Sequence, residues 1–139
     1  MFAAVVATVV AIGACSGASA TPTIGQAWAR SAPAGGNSAA YLTITAASGQ
    51  ADALLSASSP AADMVQLHEA STDTSGMTGM HPVDRLDIPA GGSVALEPGG
   101  YHLMIMGLKS ELTVGGTIEV DLVFEHAGKV VVQAEIRQG

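Results

Sequence analysis

The sequence predicts an all-β fold, either an antiparallel Greek-key sandwich or a small barrel. Apolar and polar residues alternate in several short runs, which is typical of half-buried strands. Turns rich in Gly and Pro separate these runs, and no stretch keeps a helical period for more than one turn. We expect about eight or nine strands in one domain that spans residues 21–139.

The first half of this domain has four predicted strands, at Ile24–Arg30, Ala39–Ala46, Ala53–Ala57 and Met64–Ala70. Trp28 is expected to anchor the first strand in the core. The second strand alternates clearly, because Leu42 and Ile44 face away from Thr43 and Thr45.

The second half begins with a polar loop at residues 71–82, rich in Ser, Thr and Gly, which carries Met77 and Met80. Residues 107–116 are predicted to form a loop with one turn of helix. The remaining runs predict five strands, the last two forming a terminal hairpin: Asp84–Ile88, Ser93–Leu96, Tyr101–Met106, Thr117–Glu125 and Lys129–Ile136.

Residues 1–20 predict an export signal. Their apolar run is too short to span a bilayer and is followed by small residues, although no Lys or Arg precedes it. Ile12-Gly13-Ala14-Cys15 resembles a bacterial lipobox, whereas Ala18-Ser19-Ala20 is an A-x-A site for ordinary cleavage. We favour the lipobox, because the only cysteine of the chain occupies its lipid-bearing position. The expected location is the periplasm or the outer face of the cytoplasmic membrane, with lipid on Cys15; a buried N-terminal strand or helix is the alternative.

The charge balance narrows the range of partners. The chain has a formal net charge of −7, and every charged residue lies beyond residue 20. An acidic surface argues against nucleic acid and against adhesion to anionic lipid, but it is compatible with attracting cations. If Cys15 carries lipid, the mature domain has no thiol and must fold without disulfides.

The predicted strand Tyr101–Met106 carries an unusual combination of side chains. His102 and Met104 are two residues apart and therefore share one face, while Leu103 and Ile105 supply the core face. His68 also faces away from the core of its strand, and Met80 lies in the loop that follows.

Two imidazoles and two thioethers, without carboxylate or thiolate, suit a soft monovalent ion, Cu(I) before Ag(I). Zinc and iron normally recruit Cys or a carboxylate, and Ca²⁺ or Mg²⁺ an oxygen cage. A mobile Met80 loop would close over the ion and open to release it. The alternative is that these are packing or surface residues, as we expect for His81, His126, Met64 and Met106.

From residue 39 to 136 the sequence resembles the periplasmic copper chaperone family PCuAC. The family pattern is His, an optional Met, ten residues, Met, 21 residues and His-x-Met. Here it is matched by His68, Glu69 at the optional position, Met80, and His102-Leu103-Met104. The flanking segments AYLTI, ASSPAA, LHEA, GMHPVDRLDIPAGG and LEPGGYHLMIMGL are similar as well.

This resemblance implies a cupredoxin-like β-barrel that binds one Cu(I) through His68, Met80, His102 and Met104. It further implies a chaperone, not an enzyme, which delivers copper for the CuA centre of cytochrome c oxidase through an oxidase subunit or an assembly factor. Nothing in the sequence suggests an obligate oligomer, so we expect a monomer. Met77 is a spare thioether that would substitute for Met80.

Other functions remain as alternatives or are disfavoured by residue type. Copper sequestration for tolerance uses the same site, and a non-metal Ig-like binding module uses none. A blue-copper site requires a cysteine that the mature domain lacks. No Ser-His-Asp arrangement has geometric support in the sequence.

Overall fold

The computed structural model describes residues 21–72 and 74–138, so the predicted export signal with Cys15 lies outside the described residues. Ten strands and no helix are found in the described part of the chain. In chain order they are β1 Thr23–Arg30, β2 Ser38–Thr45, β3 Asp52–Ser58, β4 Ala62–Thr72, β5 Thr78–Pro82, β6 Leu86–Ile88, β7 Ser93–Leu96, β8 Tyr101–Leu108, β9 Thr117–Phe124 and β10 Gly128–Arg137.

Seven of these strands close into a barrel in the order β4-β8-β2-β1-β10-β9-β3, and β3 returns to β4 through the pair Ala57 and Val65. β5, β6 and β7 add to β4, β3 and β2 respectively. The prediction of an all-β small barrel is confirmed. One pairing was not foreseen, because β1 and β10 run parallel with Trp28 opposite Glu135. This pairing joins the first and the last strand of the domain. No single turn connects them, so the sequence contains no local signal that predicts the pairing.

The barrel interior is built from aliphatic side chains and one phenylalanine. The largest side chains that are fully buried come from β2, β3, β6, β8, β9 and β10, and they are Phe124, Ile44, Leu54, Ile88, Leu103, Ile105, Leu122, Ile136 and Val120. Each contributes roughly 1.5–3 kcal/mol relative to an exposed position. Leu103 and Ile105 therefore supply the core face of β8, as predicted from their alternation.

Trp28 does not anchor this core, so that prediction is wrong. Its neighbour Ala29 is fully buried, and successive side chains of a strand point to opposite faces. Trp28 therefore lies outside the barrel, where its ring contacts that of Tyr41 at a centroid distance of 4.7 Å. The Arg137 guanidinium lies 5.9 Å from the centroid of the same ring.

Two predicted loops also differ from the structure. Met80 lies in β5, not in a flexible loop, because the long strand β4 offers its outer edge to residues 78–82. Gly79 and Pro82 are residues typical of turns, so the sequence predicted a loop here, although Pro is tolerated at a sheet edge. Residues 107–116 contain no helical turn; instead, Leu112 and Ala32 exchange backbone hydrogen bonds in an isolated bridge.

Candidate metal centre

The candidate site lies on the outer face of β4 and β8, which are antiparallel neighbours. His68 lies directly opposite His102 in the register, Gln66 opposite Met104, and Met64 opposite Met106. Directly opposed residues share a face of the sheet, with Cβ atoms roughly 4.5–5.5 Å apart. We call these three pairs the outer ladder: His68/His102, Gln66/Met104 and Met64/Met106.

Met80 reaches the same face from β5. It lies opposite Ala70, which is two residues from His68 and therefore on the same side of β4. Met80 is 56% exposed and is diagonal to His68. The structure thus brings the four predicted residues His68, Met80, His102 and Met104 to one face.

The imidazole of His102 is held by a backbone carbonyl. Its Nδ1 lies 3.2 Å from the carbonyl oxygen of Gly100, which also accepts the Ala70 N–H at 3.1 Å. A carbonyl only accepts, so Nδ1 carries the proton and Nε2 carries the lone pair. That Nε2 is buried and has no hydrogen-bond partner among the described residues, and His102 as a whole is only 4% exposed.

His68 is held by a chain of side chains on β4. Its Nε2 lies 2.9 Å from Oε1 of Gln66, and Nε2 of Gln66 lies 3.0 Å from Sδ of Met64. A thioether has no proton, so the amide nitrogen must be the group that faces it. The amide oxygen then faces His68 and accepts a hydrogen bond from the imidazole Nε2–H. The lone pair of His68 is therefore on Nδ1, which is also buried without a partner in the described residues.

Each of the two histidines thus has one unprotonated ring nitrogen without a hydrogen-bond partner in the described residues, and the two rings form one row of the ladder. Their ring centroids are 5.8 Å apart, with an interplanar angle of 56°. Burial of an unsatisfied polar atom costs about 1–3 kcal/mol, a cost that a bound ion would remove. The second hydrogen bond of each ring is the arrangement expected of a metal-ligating histidine, because it sets tautomer and orientation.

The electrostatics of the site favour neutral ligands. Burial, and then the proximity of His102, lower the pKa of His68 from its ordinary value of 6.5, so this imidazole is neutral at pH 7. No group of three or more His, Cys, Asp or Glu side chains able to hold a metal occurs within residues 21–72 and 74–138. The side chains that share this face with the two histidines include the thioethers of Met80 and Met104, which soft ions prefer.

Sequence reasoning did not find the groups that orient the two imidazoles. Gln66 is two residues from His68 on the same strand, as Met104 is from His102, so the two side chains share a face. This spacing could have indicated that Gln66 contacts His68. The Gly100 carbonyl had no such indication, since its contact depends on the turn before β8.

A family model described as "Putative lipoprotein LpqE-like" matches residues 23–136. The chain belongs to the LpqE-like family. One relative is the "Putative lipoprotein Lxx21020" of Leifsonia xyli subsp. xyli (strain CTCB07). It is 34% identical to this chain over 114 residues, which are 82% of this chain and 68% of that protein.

Solved structures show the same fold. The copper-bound PCuAC domain from PmoF2 has a TM-score of 0.70 and 26% identity, over 86% of this chain and 94% of that chain. The solution structure of CuI-DR1885 from Deinococcus radiodurans has a TM-score of 0.63 and 35% identity, over 89% of this chain and 84% of that chain. These matches confirm the predicted PCuAC resemblance and the cupredoxin-like fold class of this LpqE-like protein.

Proposed function

We propose that this LpqE-like protein is an extracytoplasmic chaperone for Cu(I), which holds one ion between His68, Met80, His102 and Met104. The observation that carries the proposal is a pair of buried imidazole nitrogens, His68 Nδ1 and His102 Nε2, which have no hydrogen-bond partner in residues 21–72 and 74–138. They lie on the face that also bears the two thioethers. Similarity to a copper-bound PCuAC domain and to the Cu(I)-bound DR1885 supports it.

The ligand set explains the choice of ion. Neutral imidazole and thioether are soft or borderline donors, and such a set adds no negative charge to stabilise a dication. Thioethers cannot form disulfides, which suits an oxidising compartment, although they can be converted to sulfoxide. The copper is cargo here, so the site needs no open position for a substrate.

The position of Met80 favours transfer over permanent storage. β5 pairs with β4 at the end of the strand order, and the Met80 side chain is 56% exposed. An incoming ligand can therefore replace the Met80 sulfur first, while the buried His102 still holds the ion. Release of the ion therefore depends on the exposure of Met80 on the edge strand β5, and not on the opening of a mobile loop, as the sequence predicted.

Export, anchoring and the recipient belong to the same proposal. The family and the Leifsonia protein are both described as lipoproteins, which supports lipid on Cys15 and a location in the periplasm or on the outer face of the cytoplasmic membrane. In the described residues no helix is long and apolar enough to cross a membrane. The recipient we propose is an oxidase subunit or assembly factor in formation of the CuA centre of cytochrome c oxidase, with no catalytic step in this chain.

The test is an anaerobic Cu(I) titration of the chain against a chromophoric Cu(I) chelator. We expect one ion per chain, and we expect the triple variant Met80→Leu/His102→Gln/Met104→Leu to lose it. His126→Ala removes an exposed imidazole outside the outer ladder and serves as the matched control.

Circular dichroism of each variant separates loss of the site from loss of the fold. A folded triple variant that competes as well as the unaltered chain would overturn the ligand set. Failure of the unaltered chain to compete at any ratio would overturn the chaperone function and favour a binding module without metal. Tight binding without transfer to an acceptor would favour sequestration instead.

A further inference from the structure

The outer ladder contains two thioethers that the proposed site does not use. Met64 and Met106 lie directly opposite each other, one row beyond Gln66 and Met104. They are on the same face as the two histidines, so the ladder has a histidine row at one end, a methionine row at the other, and Met104 between them. Met64 is 50% exposed.

Contacts along β4 place the Met64 sulfur toward the centre of the ladder. Its Sδ accepts a hydrogen bond from Nε2 of Gln66 at 3.0 Å, and Gln66 also bonds to His68. A thioether sulfur has a second lone pair, which this hydrogen bond leaves available. Met106 and Met104 are neighbours at i and i+2 on β8, about 6.5–7 Å apart along the strand, a separation that long side chains can close.

We propose that Met64, Met106 and Met104 form a second, weaker site for a soft monovalent ion, through which copper leaves the histidine row. This inference rests on the proposed function, because Met104 is the ligand common to both sites. Three thioethers without an imidazole suit Cu(I) or Ag(I) and no harder ion.

The move between the two sites is a ligand exchange. The bonds from copper to His68 Nδ1, His102 Nε2 and Met80 Sδ break, those to Met64 Sδ and Met106 Sδ form, and the bond to Met104 Sδ persists. Copper remains Cu(I), both imidazoles leave as neutral bases, and no proton or electron is transferred.

Exposure gives this path a direction. His102 is 4% exposed, Met104 and Met106 are half-buried, and Met64 is 50% exposed. The ion therefore moves from a buried pair of nitrogens to a second exposed thioether, which a recipient can reach at the end of the ladder away from Met80.

The experiment uses Ag(I), a redox-inert probe for Cu(I), and the full chain labelled with ¹³C at its six methionine methyl groups. Individual Met→Leu variants assign the signals. We expect the first equivalent to shift the methyl groups of Met80 and Met104. Because Met104 is common to both sites, the second site is measured in the variant Met80→Leu/His102→Gln, in which Ag(I) should bind more weakly and shift the methyl groups of Met64, Met104 and Met106.

The critical variant is Met106→Leu, since Met64 also orients Gln66 and its replacement would disturb His68 as well. We expect Met106→Leu to abolish the Met64 shift when it is added to that variant, and to slow Cu(I) transfer to a chelator several-fold in the otherwise unaltered chain. Val131→Leu, at an exposed apolar position on β10, is the control for a surface substitution.

The outcomes separate this inference from the proposed function. If Ag(I) shifts Met80 and Met104 in the unaltered chain but leaves Met64 and Met106 unshifted in the Met80→Leu/His102→Gln variant, the second site is wrong and the chaperone function stands. If Met106→Leu transfers copper at the unaltered rate, the exit path is wrong. If no methionine signal shifts at all, the proposed function itself fails.

Discussion

At the scale of single residues, a methionine that binds nothing in the proposed site still determines which nitrogen of His68 is free. The Met64 sulfur only accepts hydrogen bonds, so it fixes the Gln66 amide, and the amide oxygen fixes the proton on His68 Nε2. His102 reaches the complementary state through the Gly100 carbonyl. One ring therefore presents Nδ1 and the other Nε2.

Gln66→Leu tests this dependence on a single amide. The substitution keeps the size of the side chain but removes the acceptor for His68 Nε2–H, so the imidazole is no longer restricted to one tautomer. We expect Cu(I) affinity to fall about tenfold, the lower end of the effect of removing a partner of a metal-ligating histidine.

Chelator competition measures the affinity, and ¹⁵N shifts of the His68 ring measure the tautomer. Gln133→Leu, on the exposed side of β10, is the matched control. An unchanged tautomer in the Gln66 variant would contradict the assignment, even if the affinity fell.

At the scale of elements, one buried carboxylate ties the start of β3 to the turn between β9 and β10. Oδ1 of Asp52 accepts the N–H groups of Ala53 at 2.8 Å and His126 at 2.9 Å, and Oδ2 accepts that of Ala127 at 3.0 Å. Burial acts to raise the pKa of Asp52, but these three donors and the nearby His126 ring outweigh it and lower the pKa below its ordinary value of 3.8.

Asp52→Ala should lower the free energy of unfolding at pH 7 by about 2–4 kcal/mol, because it leaves backbone N–H groups without a partner. A carboxyl whose pKa is lower in the folded state stabilises the fold above its unfolded pKa. That stability is lost as the pH falls through the folded pKa. The difference between variant and unaltered chain should therefore shrink in acid below about pH 4.

Urea unfolding at pH 7 and at pH 3 measures this difference. Asp87→Ala removes an exposed carboxylate on β6 and controls for net charge. An Asp52 difference that is the same at both pH values would show that packing, and not the charged hydrogen bonds, supplies the stability.

At the scale of the whole molecule, the barrel separates stability from metal chemistry. The core face of β8 is filled by Leu103 and Ile105, while His102 and Met104 face outward from the same strand. Copper can therefore bind without rearranging the core. Because only the folded chain brings β4, β5 and β8 together, the ion should stabilise the fold.

We expect Cu(I) at about 100 times its Kd to raise the free energy of unfolding by about 2.7 kcal/mol, or Tm by roughly 10 °C. Anaerobic thermal unfolding with and without Cu(I) measures the shift, and Met80→Leu/Met104→Leu should show little of it. A similar rise in that variant would place the bound ion elsewhere in the chain.

The sequence by itself determined the fold class and which side chains of a strand share a face. Alternation places Leu103 and Ile105 on one face of β8 and His102 and Met104 on the other, because a strand has a period of two whatever it pairs with. The residue types of His68, Met80 and the His-x-Met pair, and the spacing between them, indicated the candidate ligands. Both can be read directly from the sequence without knowing how the strands pair.

Only the tertiary structure decided how these residues meet. The register that sets His68 opposite His102 and the parallel contact of β1 with β10 join segments distant in the chain. The pairing of β5 with β4, its neighbour in the chain, brings Met80 to the face of the two histidines. Trp28 lies outside the core for a related reason, because the closure of the barrel decides which face of β1 points inward. Local periodicity fixes which side chains share a face, but only long-range backbone pairing decides which strands share it.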